Sequence, residues 1–214
     1  GLIREYFTWP INDPSVALGV GDDAALFSLD QGYQLVTTTD TLTEGVHFSS
    51  STSAKDIAHK SLAVNLSDIA AMGAKPKYFT LALSIPKIDE SWLQEFSESL
   101  RHLSEQYEVS LVGGDTTRGS LNITITMIGM IESSKALKRS GARPGDGVYV
   151  SGRIGDAGFC FWKLSNDLIP SNQEFKRLNC PTPRVELGLA LKTLASACID
   201  LSDGLEQDLS HILK

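Results

Sequence analysis

The sequence predicts an α+β fold, in which a mixed sheet-and-helix unit is followed by a shorter second unit. Three observations lead there. Segments of strand character at 33–40, 78–86, 109–115 and 121–131 are mixed with two stretches of helical period at 53–74 and 89–107. A turn-rich run, SGARPGDGVYVSG (140–152), then places a boundary near 138–141, dividing the chain into 1–139 and 140–214. Finally, 214 residues that are 42% apolar and 21% charged have ordinary globular composition, enough for one large domain or two smaller ones.

The elements follow in order. VGDDAALF (20–27) sets two carboxylates between a glycine and an apolar run, at the edge of an expected strand. YQLVTTTD (33–40) is β-rich and ends on an acid. SAKDIAHKSLAVNLSDIAAMGA (53–74) reads as a helix, with Ser53 as N-cap, Asp56 three residues on, and Gly73 where a C′ glycine belongs. Ile57, Leu62, Leu66, Ile69 and Ala70 recur at helical spacing. YFTLALSIP (78–86) is a strand closed by proline. DESWLQEFSESLRHLSEQY (89–107) is a helix capped by Asp89, with Trp92, Phe96, Leu100 and Leu103 forming a core stripe. VSLVGGD (109–115) is a strand entering a glycine turn, and LNITITMIGMI (121–131) is a long strand. In the second unit, a strand is expected in GVYVSG, a helix in GDAGFCFWKL and a helix over 181–198 started by Pro183. CIDLSDGLEQDLSHILK (198–214) should form a short strand, an acidic turn and a helix. A unit of about 75 residues with two strands, ending inside a helix, buries a thin core and reads as the incomplete first part of a domain.

Charge and composition narrow the function. A net charge of −7 disfavours nonspecific binding to nucleic acid or an anionic membrane. An anionic ligand remains compatible, because a divalent cation reverses the local sign. Three dispersed cysteines without a CxxC argue against a disulfide framework or a structural zinc and fit the cytoplasm. Neither an HExxH pair, an EF-hand loop, a Walker A loop nor a protein-kinase signature is present. No apolar run is long enough to span a bilayer.

Carboxylates at turns carry the chemistry. Asp22 and Asp23 follow Val20-Gly21, Asp40 ends a strand, Asp115 follows Gly113-Gly114, and Asp200 and Asp203 flank Ser202. Alone, a GDD is most simply a solvated turn. Asp68 matters most: it sits mid-helix in apolar surroundings with Asn65 at i−3, where a carboxylate must be paired. Its partner is a lysine or arginine from elsewhere, or a cation shared with the other acids. Magnesium prefers such oxygen ligands and bridges them to phosphates, and Thr38 and Thr39 add oxygen beside Asp40.

GVGDDAAL, TTDTLTEGVHF, AVNLSDIAAMGAKP, LVGGDTTRG, RSGARPGD and IDLSDGL occur in that order. Together they resemble the thiamine-monophosphate kinase family, part of a superfamily that includes aminoimidazole ribonucleotide synthetase and selenophosphate synthetase. The absence of a cysteine before Cys160 sets the last of these aside. The resemblance implies an N-terminal α+β domain, a second α/β sandwich that runs beyond this chain, and a homodimer formed through the N-terminal sheets. It implies direct transfer of a phosphoryl group from ATP to thiamine monophosphate with several Mg²⁺ ions. The metal ligands it implies are Asp23, Thr38, Thr39, Asp40, Asp68, Asp115, Asp200 and Asp203, with Asp40, Asp68, Asp115 and Asp203 as the catalytic set. Gly114, Asp115, Arg139 and Ser202 would touch ATP, and His47 the thiamine phosphate. Asp22 would orient its loop or act through water. Without the resemblance, Arg139 is equally a surface arginine and His47 a hydrogen-bonded, partly buried histidine. Arg118 could meet phosphate or pair with an acid. The alternatives are another ATP-using synthetase of the superfamily or a catalytically silent Mg–nucleotide-binding piece.

Overall fold

The computed structural model describes residues 1–21 and 24–214. Its centre is a four-stranded sheet of β3 (Tyr33–Thr43), β4 (Lys75–Ile85), β5 (Ser110–Arg118) and β6 (Asn122–Glu132). Before these come α1 (Leu2–Tyr6) and a small hairpin of β1 (Val16–Leu18) and β2 (Leu26–Phe27). The spatial order is β3-β6-β4-β5, antiparallel except for the parallel β4–β5 pair. The parallel pair needs a crossover, and α3 (Glu90–Gln106) supplies it.

Two helices cover one face of the sheet, α2 (Ala54–Ala71) and α3. Their boundaries follow the local chemistry. Ser53 accepts from the Asp56 backbone at 3.1 Å, and Asp89 accepts from the Trp92 backbone at 3.1 Å. Gly73 (φ +67°) closes α2, with Ala74 N–H on the Ile69 carbonyl at 3.1 Å. Alternation decides what the sheet offers these helices. Ile123, Ile125 and Met127 of β6 and Phe79, Leu81 and Leu83 of β4 are buried against Leu62, Leu66, Ile69, Leu93, Phe96 and Leu100. The intervening residues form a hydroxyl-rich outer face, where Thr39 meets Thr126 and Thr41 meets Thr124 at 2.9 and 2.8 Å.

Beyond β6 the described residues contain helices and no strand: a 3-10 turn (Arg139–Gly141), α4 (Asp156–Ser165), α5 (Asn172–Asn179), α6 (Val185–Leu191) and α7 (Leu205–Ile212). The expected strands at 148–151 and 198–201 are not formed. A strand needs a ladder of backbone hydrogen bonds to a neighbour, and among the described residues neither segment forms one; 198–201 has a single bond, from Cys198 N–H to the Lys138 carbonyl. Tyr149 is accordingly 93% exposed. The helix expected over 181–198 shrinks to α6, and Gly188 seats it against α2: a Cβ there would lie 2.1 Å from the Ala70 carbonyl oxygen.

Candidate active site

The site forms where β3 and α2 face each other. The register pairs Asp40 with Ile125, Ile125 with Leu81, and Leu81 with Gly114. Ile125 and Leu81 are core, so Asp40 and Thr38 lie on the covered face, towards α2. There Thr38 Oγ1 donates to Asp68 Oδ2 at 2.5 Å. The third carboxylate, Asp200, comes from the segment between α6 and α7 and lies beside the Ser67 side chain, next to Asp68 on α2.

These carboxyl groups act on one another's protonation. Burial first, and then the Asp68 charge, hold the Asp40 carboxyl above the usual carboxylate range, against an opposing effect of His47. Asp200 is pushed up to about 6 by burial and by Asp68, with Asp208 and Asp40 adding and the Ser67 bond opposing. Among the described residues none of the three is in an ion pair. Of the two partners that the sequence leaves open for Asp68, no lysine or arginine therefore takes the place.

These donors fit a hard cation: carboxylate and hydroxyl oxygens, like-charged, partly buried and without a counter-cation among the described residues. They do not form a closed cage, since no three His, Cys, Asp or Glu side chains among the described residues are grouped to hold a metal ion. Magnesium does not require one, because it usually takes one or two carboxylates and completes its shell with water and phosphate oxygen.

The other expected site residues divide. Asp22 and Asp23 lie outside the described residues. Asp115 pairs with Ala82, and Ala82 with Thr124, which puts it on the outer face, opposite to Asp40. It is also three strands away, about 14 Å at ordinary strand spacing. Thr39 points to the same outer face. The side chains expected to converge in one cluster are thus split between the two faces, because a strand turns successive residues to opposite sides. Gly114 has a packing reason to be glycine: at φ +150°, a Cβ would fall 1.9 Å from the Leu81 carbonyl oxygen.

Ser202 and Asp203 lie on the turn before α7. Asp203 is exposed and accepts from Gln207 Nε2 at 3.0 Å, and it is not among the charges that act on Asp40 or Asp200. The residue shaping this turn is Asp208, which the sequence reading missed. It is 3% exposed, and its Oδ2 accepts the backbone N–H groups of Ser202, Asp203 and Gly204 at 2.9, 3.1 and 3.2 Å. An acid four residues beyond a glycine, in the first turn of a helix, was the available signal. Arg139 is exposed on the 3-10 turn that packs beside α7, and Cys198 N–H bonds the Lys138 carbonyl at 3.1 Å. The Arg139 and Ser202 loops are therefore neighbours. Arg118, at the end of β5, is exposed and in no ion pair among the described residues.

His47 sits in the turn after β3. Its backbone N–H bonds the Thr43 carbonyl at 2.9 Å, its Nδ1 accepts from the Thr43 backbone at 3.0 Å, and its carbonyl accepts from Lys60 Nζ at 2.8 Å. Phe48 anchors the turn in the core.

The family AIR synthase related protein, N-terminal domain, matches residues 21–131, just over half of the chain. Thiamine-monophosphate kinase of Haemophilus influenzae is 50% identical over 218 residues, covering 100% of this chain and 66% of its own length. The crystal structure of thiamine-monophosphate kinase from Stenotrophomonas maltophilia K279a superposes with a TM-score of 0.90 at 43% identity, covering 98% of this chain and 68% of that one. The chain belongs to the thiamine-monophosphate kinase family. A second structure similar to it, AaThiL complexed with AMPPCP and TMP, is 31% identical with a TM-score of 0.80, over 90% of this chain and 63% of that one. The chain spans about two thirds of the length of these members of the thiamine-monophosphate kinase family. No described helix is long and apolar enough to cross a membrane.

Proposed function

We propose that this chain carries the nucleotide- and metal-binding part of a kinase that converts ATP and thiamine monophosphate to ADP and thiamine diphosphate. The observation that carries the reading is the Asp40–Asp68–Asp200 cluster at the β3–α2 seam, in a chain of this family. A complex of a related protein with AMPPCP and TMP supports the substrates.

Both substrates are anionic, so the main need of the reaction is to bring phosphates together against their repulsion. Asp40, Asp68 and Asp200 would hold Mg²⁺, with Thr38 fixing the Asp68 carboxylate and Ser67 the Asp200 carboxylate. Asp23 remains the proposed ligand of its pair. Bound Mg²⁺ supplies charge neutralisation and alignment of phosphate oxygens. The chain's own part is positioning. Asp208 holds the Ser202–Gly204 turn, and the neighbouring turn presents the Arg139 guanidinium, which suits a phosphate as a bidentate donor. His47 faces the acceptor phosphate. No protein nucleophile is needed, because in-line transfer rests on orientation and electrostatics.

We place this unit, 1–139 with the beginning of a second domain at 140–214, in a cytoplasmic homodimer. The hydroxyl-rich outer face of the sheet is the pairing surface, which would put Asp115 and Thr39 at the interface. Three free thiols suit a reducing compartment.

Incubation of the protein with ATP, Mg²⁺ and thiamine monophosphate tests the reading. Equimolar ADP and thiamine diphosphate are expected, and a loss of at least 100-fold in Asp68→Asn at unchanged circular dichroism. Calorimetric binding of a non-hydrolysable ATP analogue with no turnover would overturn it in favour of a silent nucleotide-binding unit. ATP turnover that yields no thiamine diphosphate would favour another synthetase of the superfamily.

A further inference from the structure

Lys60 is a half-buried cation without a carboxylate partner among the described residues. It lies in the middle of α2, yet no described residue pairs with it as a salt bridge. Its Nζ is instead spent on a neutral acceptor, the backbone carbonyl of His47 at 2.8 Å. Burying an ammonium with no counter-charge is costly, and desolvation lowers the Lys60 pKa accordingly. A leucine or methionine would fill the same place on the helix without that penalty, so the polar head serves the bond it makes.

That bond closes a tight turn. Glu44 N–H reaches the Leu121 carbonyl at 3.2 Å, Gly45 N–H the Phe48 carbonyl at 2.8 Å, and His47 N–H the Thr43 carbonyl at 2.9 Å. Gly45 takes φ +79°, which favours glycine. Phe48 fixes the far end in the core. The His47 ring is then oriented by its own hydrogen bond. Because the Thr43 backbone N–H donates to Nδ1 at 3.0 Å, Nδ1 carries no proton, and the ring hydrogen is on Nε2. The imidazole therefore offers a single N–H, at Nε2.

We propose that Lys60 is a positioning residue, whose clamp on the His47 carbonyl holds the turn so that the imidazole presents Nε2–H to the phosphate of the acceptor substrate. The proposal rests on the reading of His47 as the acceptor-phosphate contact. Lys60 bonds the His47 carbonyl and not the imidazole. It acts through the loop, so its removal loosens recognition of the acceptor and leaves the nucleotide untouched.

The test compares Lys60→Met, which keeps the stem and removes the donor, with Lys60→Arg, which keeps a cationic donor. The readouts are KM for thiamine monophosphate, KM for ATP, and the nitrogen NMR signals of the His47 ring. The wild-type ring should show the Nε2–H tautomer. Lys60→Met should raise KM for thiamine monophosphate about 5- to 20-fold, leave KM for ATP within twofold, and mix the His47 tautomers. Lys60→Arg should restore most of the acceptor affinity. If Lys60→Met does not fold, Lys60→Gln replaces it, with the same expectations. An unchanged KM for the acceptor together with an unchanged tautomer would overturn the proposal, as would an equal rise in both KM values. Absence of turnover in the wild type would refute the function itself, and the tautomer comparison would then decide the clamp alone.

Discussion

Replacing Asp200 by asparagine should stabilise this protein at neutral pH while removing activity. Asp200 is pushed from its ordinary value of 3.8 up to about 6, first by burial and then by Asp68. A folded-state pKa above the unfolded one means that the native state binds more protons between about pH 4 and pH 6. Stability therefore falls as pH rises through that window and stays low above it. Two pKa units correspond to at most about 3 kcal/mol. Solvent around the partly open side chain reduces this to about 1–2 kcal/mol. Asparagine keeps the shape and an acceptor for Ser67 but removes the charge. In urea unfolding with a chelator present, Asp200→Asn should match the wild type at pH 4 and exceed it by about 1–2 kcal/mol at pH 7.5, or roughly 3–6 °C in Tm. Adding Mg²⁺ at pH 7.5 should raise the wild-type Tm more than that of the variant, because a ligand that binds only the folded state stabilises in proportion to its affinity. Equal destabilisation of Asp200→Asn at both pH values would refute the argument and make this carboxylate a purely structural acceptor.

Acid should act in the opposite direction on Asp13. Burial raises this carboxyl, but hydrogen bonds from Ser15 and Lys77 outweigh burial and bring it to about 2, with Lys77 Nζ at 2.9 Å. Its contribution, about 1–2 kcal/mol, is complete above pH 4 and disappears as pH falls towards 2, so the pH 2–4 slope of stability should be shallower in Asp13→Asn. Gly188→Ala forces a methyl to 2.1 Å from the Ala70 carbonyl oxygen and should cost about 1–3 kcal/mol, with amide-exchange protection lost at the α2–α6 contact rather than in the sheet. Phe96→Ala empties a fully buried position stacked on Trp92 and should cost about 3–5 kcal/mol in chemical denaturation.

Legibility in the sequence followed the range of the forces involved. NITITMIGMI alternates residue by residue, and α2 and α3 carry their caps at Ser53 and Asp89, so these elements were readable where they stand. β5 runs three residues past its expected end at Asp115, to Arg118, because β4 beside it supplies the hydrogen bonds. GVYVSG has the composition of a strand and no such neighbour, and it is not one. The short α5 was overlooked although Ser171 and Glu174 form a capping box, since eight residues give too little periodicity to stand out. In the site, the acids were conspicuous by type and by their glycine turns. Asp208 was not, because its role lies in the three backbone N–H groups folded around it.

The sequence by itself determined the supply of groups: carboxylates at turns, hydroxyls beside them, and ordered motifs that place the chain in its family. Only the tertiary structure decided which of those carboxylates share a space. Side chains alternate along a strand, and one step in register moves a residue to the other face. Asp40 therefore lies on the face covered by α2, where Thr38 bonds Asp68 and Asp200 feels their charge, whereas Asp115, one residue beyond Gly114, looks out from the opposite side of the sheet.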